Sequence, residues 1–209
     1  MSDFGREYWT PPLLFSGDTV FLLGGGPTLT KADVARLDDQ VTVAINSSCL
    51  IAPMADILYF TDTNWFEDHR RIIEAWPGTV VTQSRVAKAT LPDRMHRIRT
   101  KVKDDFTRGE EELKFGRSSG HSAISLAIAL GAARVVLLGY DMRIVDRRSH
   151  HHDEYPHEDA KLFTHDFLLA FEGWNAAAER IGVQVLNATP GSALKEFPMT
   201  TLDEVLASI

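Results

Sequence analysis

Four histidines stand close together in the second half of the chain and form its most chemically suggestive feature. They are His150, His151, His152 and His157, and acidic residues lie among them. Imidazole titrates near neutral pH, so this run could supply a general base. It could instead bind a divalent metal together with carboxylates, although its spacing matches no established zinc pattern. A solvated polar loop is the third interpretation, and the sequence leaves all three open.

Small and polar residues follow several apolar runs and form the second candidate feature. They are Gly24, Gly25, Gly26, Pro27 and Thr28, then Asn46 and Ser47, then Asp62, then Gly139, Tyr140 and Asp141, and finally Asn187 and Ser192. Glycine lets a ligand approach the backbone closely, and free N–H groups at a helix start favour an anion. A tight turn between a strand and a helix would also explain the glycines. Their pattern is neither the dinucleotide fingerprint nor the P-loop.

A third short segment, formed by Ser118, Ser119 and Gly120, precedes a run rich in alanine, leucine and isoleucine. Its hydroxyl and N–H groups could hold a phosphate or a ribose. The serines could also cap the helix that follows, and the two roles are compatible.

The elements that must position these residues alternate between strand and helix patterns. Strands are predicted at 19–23, 41–45, 57–61, 80–82, 134–138 and 183–186, and helices after Thr30 and at 65–75, 122–130, 161–180 and 202–207. Residues 96–102 resemble an edge strand, and residues 103–114 are predicted to form a surface excursion or flap. This alternation predicts a Rossmann-like α/β fold, with a mostly parallel sheet and helices on both faces. Because ligands bind outside the carboxyl ends of parallel strands, we expect the polar strand ends to converge on one cleft.

Length and composition exclude several classes of protein. The chain has 209 residues and a formal net charge of −7, which weighs against a general nucleic-acid coat. We expect an irregular arm at residues 1–16 and a single nucleotide-binding domain at residues 17–209. No apolar run approaches the roughly 20 residues of a membrane span, and the first residues lack a signal-peptide pattern. With one cysteine, Cys49, these features favour a cytoplasmic protein.

Taken in order, these motifs resemble a family of small phage and prophage proteins. That family is related to the archaeal 6-hydroxymethylpterin diphosphokinase-like family. The resemblance covers about residues 19–198 and rests on the glycine run, on residues 46–48, on residues 118–141 and on residues 187–194. More distantly, the pattern is similar to the bacterial sialyltransferases of glycosyltransferase family 42.

The sialyltransferase resemblance implies a cytidine nucleotide-sugar donor, no required metal, and a histidine base in the loop before the last long helix. Here that base would be His152 or His157. The resemblance places the glycine run and Asn46 at the phosphate and ribose, residues 118–120 at phosphate or sugar, Gly139 and Asp141 at base and ribose, and Asn187 and Ser192 near the nucleotide. The family's phosphate-binding tyrosines are absent, because Met142 and Arg143 follow the aspartate. Arg143 could neutralise the phosphate instead.

The diphosphokinase resemblance implies ATP, Mg²⁺ and transfer of a diphosphate to a hydroxymethyl compound. Asp62, Asp141 and Asp153 are the candidate Mg²⁺ ligands, since this ion prefers carboxylates and substrate phosphates. We therefore expect a nucleotide-dependent transferase, with a glycosyltransferase first and His152, His157 and Asp141 as its candidate catalytic residues. The alternatives are the Mg²⁺-dependent diphosphokinase and a non-catalytic nucleotide-binding phage accessory protein. The sequence indicates neither the acceptor nor the oligomeric state.

Overall fold

Seven parallel strands form the centre of the fold in a computed structural model that describes residues 8–84, 95–110, 112–153 and 160–209. With two strands outside this sheet, the described strands are β1 (Thr19–Leu23), β2 (Val41–Ile45), β3 (Ile57–Phe60), β4 (Thr79–Thr82), β5 (Met95–Arg97), β6 (Arg99–Lys101), β7 (Glu112–Lys114), β8 (Arg134–Leu138) and β9 (Gln184–Asn187). The main sheet has the order β5-β4-β3-β2-β1-β8-β9, and β6 pairs with β7 separately. Every pairing between these strands is parallel, which confirms the predicted α/β class.

Helices cover both faces of this sheet, as predicted. They are α1 (Lys31–Ala35), α2 (Thr63–Asp68), α3 (Arg70–Ala75), α4 (Ser119–Ala129), α5 (Leu168–Ala170), α6 (Trp174–Arg180) and α7 (Leu202–Leu206), with a 3₁₀ turn at Asn46–Leu50 and a π-helix at Leu162–Phe167. Successive side chains of a strand point to opposite faces. Val20 and Leu22 of β1 accordingly share one core with α4 and α6. Phe21 and Leu23 share the other core with α2, α3 and α7.

The order of the strands reverses between β1 and β8. The chain runs from β1 to β2 on one side and returns to β8 on the other, where Leu23 lies opposite Leu138. At such a switch point the connections leave in opposite directions and a crevice opens above the strand ends. The residues that follow β1 and β8 therefore lie at the edge of this crevice.

Local sequence signals explain where several helices begin. Thr30 and Asp33 form the capping box of α1, which the sequence predicted. Helix α4 starts at Ser119, three residues before the predicted start, and is buried on nearly every side. This burial confirms the prediction of a buried helix, which was based on its apolar composition.

Two predicted helices are interrupted. The single helix predicted at 161–180 is wrong, because π-helix Leu162–Phe167 and α5 end before Gly173, whose φ is 77°. Only after this left-handed residue does α6 begin. The helix predicted at 65–75 is divided into α2 and α3 at His69, whose Nδ1 lies 2.9 Å from the carbonyl oxygen of Trp65.

The predictions for the middle of the chain are correct only in part. Of the edge strand predicted at 96–102, residues 96–97 belong to β5, which does lie at the edge of the main sheet, whereas residues 99–101 form β6, which pairs with β7. The predicted surface excursion at 103–114 contributes core residues. Phe106 is 3% exposed and Leu113 is 1% exposed, and both pack in the same core as α4. Because the segment is rich in charged residues, its sequence pattern did not indicate that Phe106 and Leu113 belong to the core.

Residues 8–16 form neither helix nor strand. Within the described ranges, no helix is long and apolar enough to cross a membrane.

We expect Leu22→Ala to lower the free energy of unfolding by about 2–5 kcal/mol, because it opens a cavity beside the central strand. Leu22 is 0% exposed, whereas Leu169 in α5 is 56% exposed. The matched control Leu169→Ala should change the same quantity by less than about 0.5 kcal/mol. Urea denaturation of the three proteins measures the difference, and equal losses for both variants would contradict the assignment of the core.

Candidate functional site

A cleft of about 320 Å³ opens at the switch point, between the carboxyl ends of four strands and the start of α4. The predicted site residues that line it are Gly24, Gly25, Gly26, Asn46, Ser47, Asp62, Ser118, Ser119, Gly120, Gly139, Tyr140, Asp141 and His152. The structure therefore brings together most of the residues that the sequence singled out. Their contact with a nucleotide stays a prediction.

The glycines after β1 let two strand ends pack closely against each other. A Cβ atom on Gly24 would lie 2.6 Å from the carbonyl oxygen of Gly139. A Cβ atom on Gly26 would overlap both that oxygen and Asp141 Oδ2. Gly25 differs, because a Cβ atom there would meet only histidine side chains, the nearest atom being His150 Cδ2 at 3.0 Å. Gly24 and Gly26 are thus required by the protein's own packing.

Only one of the two carboxyl oxygens of Asp141 accepts hydrogen bonds from the described residues. Its Oδ2 accepts hydrogen bonds from Thr28 Oγ1 at 3.0 Å and from the Thr28 amide at 3.4 Å. Its Oδ1 is buried and makes no hydrogen bond within the described part of the chain. Burial raises the pKa of Asp141, and the bonds from Thr28 oppose the shift. Asp141 lines the cleft, and the hydrogen-bonding capacity of its Oδ1 is therefore unused among the described residues.

Ser119 ties the ends of β2 and β3 to α4. Its hydroxyl lies 2.7 Å from Thr61 Oγ1 and accepts a bond from Asn46 Nδ2 at 3.3 Å. Asn46 has a φ of 50°, and so does Met142 on the opposite side of the cleft. Left-handed backbone at residues other than glycine is strained and is concentrated at functional sites.

Ser118 occupies the N-cap position of α4 but does not cap it. Its hydroxyl lies instead 2.8 Å from Nδ1 of His121, so the prediction of simple capping is wrong for this residue. The His121 ring is fully buried and stacks on Phe171, with ring centroids 3.5 Å apart. This burial lowers the pKa of His121 to about 3, so the ring is neutral at physiological pH.

The histidine loop lies across the glycine run. The amide of His151 donates to the carbonyl of Gly25 at 3.0 Å, and its Nε2 lies 3.3 Å from Ser48 Oγ. His150 and His152 both line the cleft, with ring centroids 5.0 Å apart. Burial lowers the pKa of His150, which favours the neutral ring. His157, the second predicted base, lies outside the described residues.

Several predicted residues lie off the cleft wall. Asn187 and Ser192 are both buried. Ser192 Oγ donates a hydrogen bond to the carbonyl oxygen of Tyr140 at 2.6 Å. It also accepts one from Asn187 Nδ2 at 3.1 Å. Their contacts hold the backbone that follows β8. Arg143 Nε donates to the carbonyl of Gly191 at 2.7 Å. These three residues, with Pro27 and Thr28, are not among those lining the cleft, and their predicted contact with the nucleotide stays a prediction.

The acidic residues considered for Mg²⁺ have different surroundings. Asp62 lines the cleft and caps α2, since its Oδ1 accepts from the amides of Asn64 at 2.6 Å and Trp65 at 3.0 Å. Asp153 is exposed and pairs with Arg148 at 3.3 Å. Within the ranges that the structure describes, no group of three or more His, Cys, Asp or Glu side chains is placed to hold a metal ion.

Seven further described residues line the cleft although the sequence did not assign them individually to the site: Ile45, Thr61, Met142, Ser149, His150, Phe163 and Phe167. His150 belongs to the histidine run already noted, and Ser149 directly precedes that run, with its Oγ 3.1 Å from His150 Nδ1. The two phenylalanines lie in π-helix Leu162–Phe167. π-Helical turns are frequent at functional sites, and their wider turn changes the direction of side chains relative to an α-helix.

Comparison with known proteins identifies one whose fold is similar. No model of a protein family matches the chain, and no curated protein sequence matches it. Among solved structures, it is similar to the sialyltransferase CstII from Campylobacter jejuni, whose structure was described in complex with a substrate analogue, cytidine-5′-monophosphate. The TM-score is 0.55 at 16% sequence identity, over 89% of this chain and 86% of that chain. This likeness supports the fold, and the resemblances to phage and diphosphokinase-like proteins stay predictions.

We expect Gly26→Ala to lower the free energy of unfolding by about 1–3 kcal/mol, because the new methyl group has no space between the strand ends. Gly25→Ala is the matched control. It should cost less, since the histidine side chain it meets can turn away. Chemical denaturation measures both, and a larger loss for Gly25→Ala would contradict the close approach of β1 and β8.

We also expect His121 to make stability depend on pH. Its pKa is about 3 in the folded protein, well below the ordinary histidine value of 6.5. Below pH 6.5 the unfolded chain therefore binds a proton that the folded protein does not, and stability falls as pH decreases, by up to about 1.4 kcal/mol per pH unit. His121→Phe should remove this contribution. Denaturation of both proteins between pH 4 and 8 tests it, and a pH-independent difference would contradict it.

Proposed function

We propose that this protein is a glycosyltransferase that uses a nucleotide-sugar donor, with a cytidine nucleotide favoured. The observation that carries the proposal is the cleft at the switch point, where the glycine run, the start of α4 and the histidine loop meet. The fold that holds this cleft is similar to that of a sialyltransferase described with cytidine-5′-monophosphate.

Backbone N–H groups would hold the phosphate of the donor. Gly25 and Gly120 both line the cleft, and α4 is long enough for its dipole to favour an anion at its first turn. The Oδ1 atom of Asp141 would accept a hydrogen bond from a ribose hydroxyl, because it is buried and has no partner among the described residues. These contacts would orient the donor before reaction.

The transfer step would need a base but no metal. The acceptor oxygen forms a bond to the anomeric carbon as the bond from that carbon to the phosphate oxygen breaks. The nucleotide leaves with the electron pair, and the acceptor proton passes to a loop histidine. We propose His152 for this role because it lines the cleft and is one of the two loop histidines that the sialyltransferase resemblance implies. His150 and His157 are the alternatives within the same loop.

Nucleotide binding tests the proposal most directly. We expect CMP to stabilise the protein without Mg²⁺, by about 2.7 kcal/mol at 100 times its dissociation constant. A thermal-shift series with CMP, UDP, GDP, ADP and ATP, each with and without Mg²⁺, measures this. Stabilisation only by ATP with Mg²⁺ would favour the diphosphokinase instead. No stabilisation by any nucleotide would contradict both proposals.

We expect His152→Ala to slow CMP release from a CMP-sugar donor by about 10²–10⁴-fold, because the base is lost. CMP affinity should change little, since the imidazole acts on the acceptor. The same assay on His150→Ala and His157→Ala compares the other loop histidines. His165→Ala is the matched control, because His165 is exposed and does not line the cleft. Unchanged release by His152→Ala, with loss in either other loop variant, would reassign the base. If the protein binds CMP but releases none from any CMP-sugar, the result would favour the alternative of a non-catalytic nucleotide-binding protein.

A further inference from the structure

His121 controls where the hydroxyl of Ser118 points. A serine at the N-cap of a helix usually accepts a hydrogen bond from the second or third amide of that helix. Here the Ser118 hydroxyl lies 2.8 Å from His121 Nδ1, and α4 has no side-chain cap. The amides of Gly120 and His121 consequently make no hydrogen bond within the described part of the chain.

The surroundings of His121 hold its ring in one place. The ring stacks on Phe171 and meets the edge of Trp174, with centroids 5.1 Å apart. A Cβ atom on Gly116 would overlap the Cβ atom of His121, so the chain passes very close behind it. Because the ring is enclosed and neutral, it offers Ser118 a fixed partner over the physiological pH range.

A separate observation indicates that this end of α4 faces a ligand. Ser118, Ser119 and Gly120 line the same cleft as Asp141. Asp141 is 1% exposed, and its Oδ1 atom has no partner among the described residues. A buried polar atom without a partner is costly in a folded protein, and a ligand hydroxyl would satisfy it.

We propose that His121 is a positioning residue for this ligand site: it holds the Ser118 hydroxyl away from the helix end, so that the first amides of α4 stay open to the ligand. The inference rests on the proposed function, because the ligand is the nucleotide proposed above. His121 itself lies behind the cleft and is not among the residues lining it.

Two substitutions of His121 separate positioning from packing. His121→Phe keeps an aromatic ring against Phe171 but removes the partner of Ser118, which can then turn and cap α4. His121→Asn loses the stacked ring but keeps a polar atom near the position of Nδ1. Ser125→Ala is the control, because Ser125 is a buried serine of the same helix that donates to the carbonyl of Lys114, away from the cleft.

Calorimetric titration with CMP and urea denaturation are measured on each protein. We expect His121→Phe to weaken CMP binding by about tenfold, as for one lost hydrogen bond, because the Ser118 hydroxyl can then cap α4. The double variant His121→Phe/Ser118→Ala should recover most of this affinity, because no hydroxyl remains to close the helix end. His121→Asn should bind CMP within about threefold of the unaltered protein although it is less stable. Ser125→Ala should also bind normally.

The opposite pattern would overturn the positioning role. If His121→Phe binds CMP normally while His121→Asn does not, His121 acts through packing alone. If affinity follows stability across all variants, the same conclusion holds. Absence of CMP binding by the unaltered protein would overturn the proposed function, and this inference with it. Binding by the unaltered protein with the reversed pattern would overturn only the role of His121.

Discussion

The close approach of β1 and β8 at their carboxyl ends is the constraint on which the site depends. The amide of Gly24 donates to the carbonyl of Leu138, and the amide of Gly26 donates to that of Gly139, both at 2.8 Å. These bonds continue the pairing of two parallel strands beyond the sheet. They leave no space for a side chain at residues 24 and 26. The same contact sets the positions of Asp141 on one side of the cleft and of the glycine run on the other.

A satisfied polar network supports this contact from behind. The amide of Tyr140 donates to Thr189 Oγ1 at 2.9 Å, and its carbonyl accepts from Ser192. Asn187 in turn donates to Ser192 and to the carbonyl of Leu194. A buried network whose groups are paired makes the structure rigid. By contrast, the Oδ1 atoms of Asp141 and Asn46, two residues that line the cleft, lack partners in the described part of the chain. A rigid hydrogen-bonded network that supports the cleft wall, together with unpaired polar atoms in the residues of that wall, suits a binding site.

The periodicity of apolar residues and the local amino-acid composition were sufficient to predict the main sheet and most of its helices. Buried strands such as β8 are continuous apolar runs, which identifies them as parallel and covered on both faces. The failures fall where local pattern and tertiary packing disagree. Residues 161–180 have helical composition, yet the chain forms a π-helix and turns at Gly173. Residues 103–114 are rich in charge, yet Phe106 and Leu113 are buried in the core.

The alternation of strand and helix patterns was enough to predict the fold class. The residue types that follow each strand then predicted the place of the cleft, because parallel strands bring their carboxyl ends to one edge. They could not predict which partner each polar group chooses. Ser118 bonds to His121 instead of capping its helix, and Ser192 supports Tyr140 instead of lining the cleft. Such choices depend on atoms that are distant in the chain and become neighbours only when the sheet and helices pack. Composition and periodicity are local properties, whereas the hydrogen bonds of a site are made between elements.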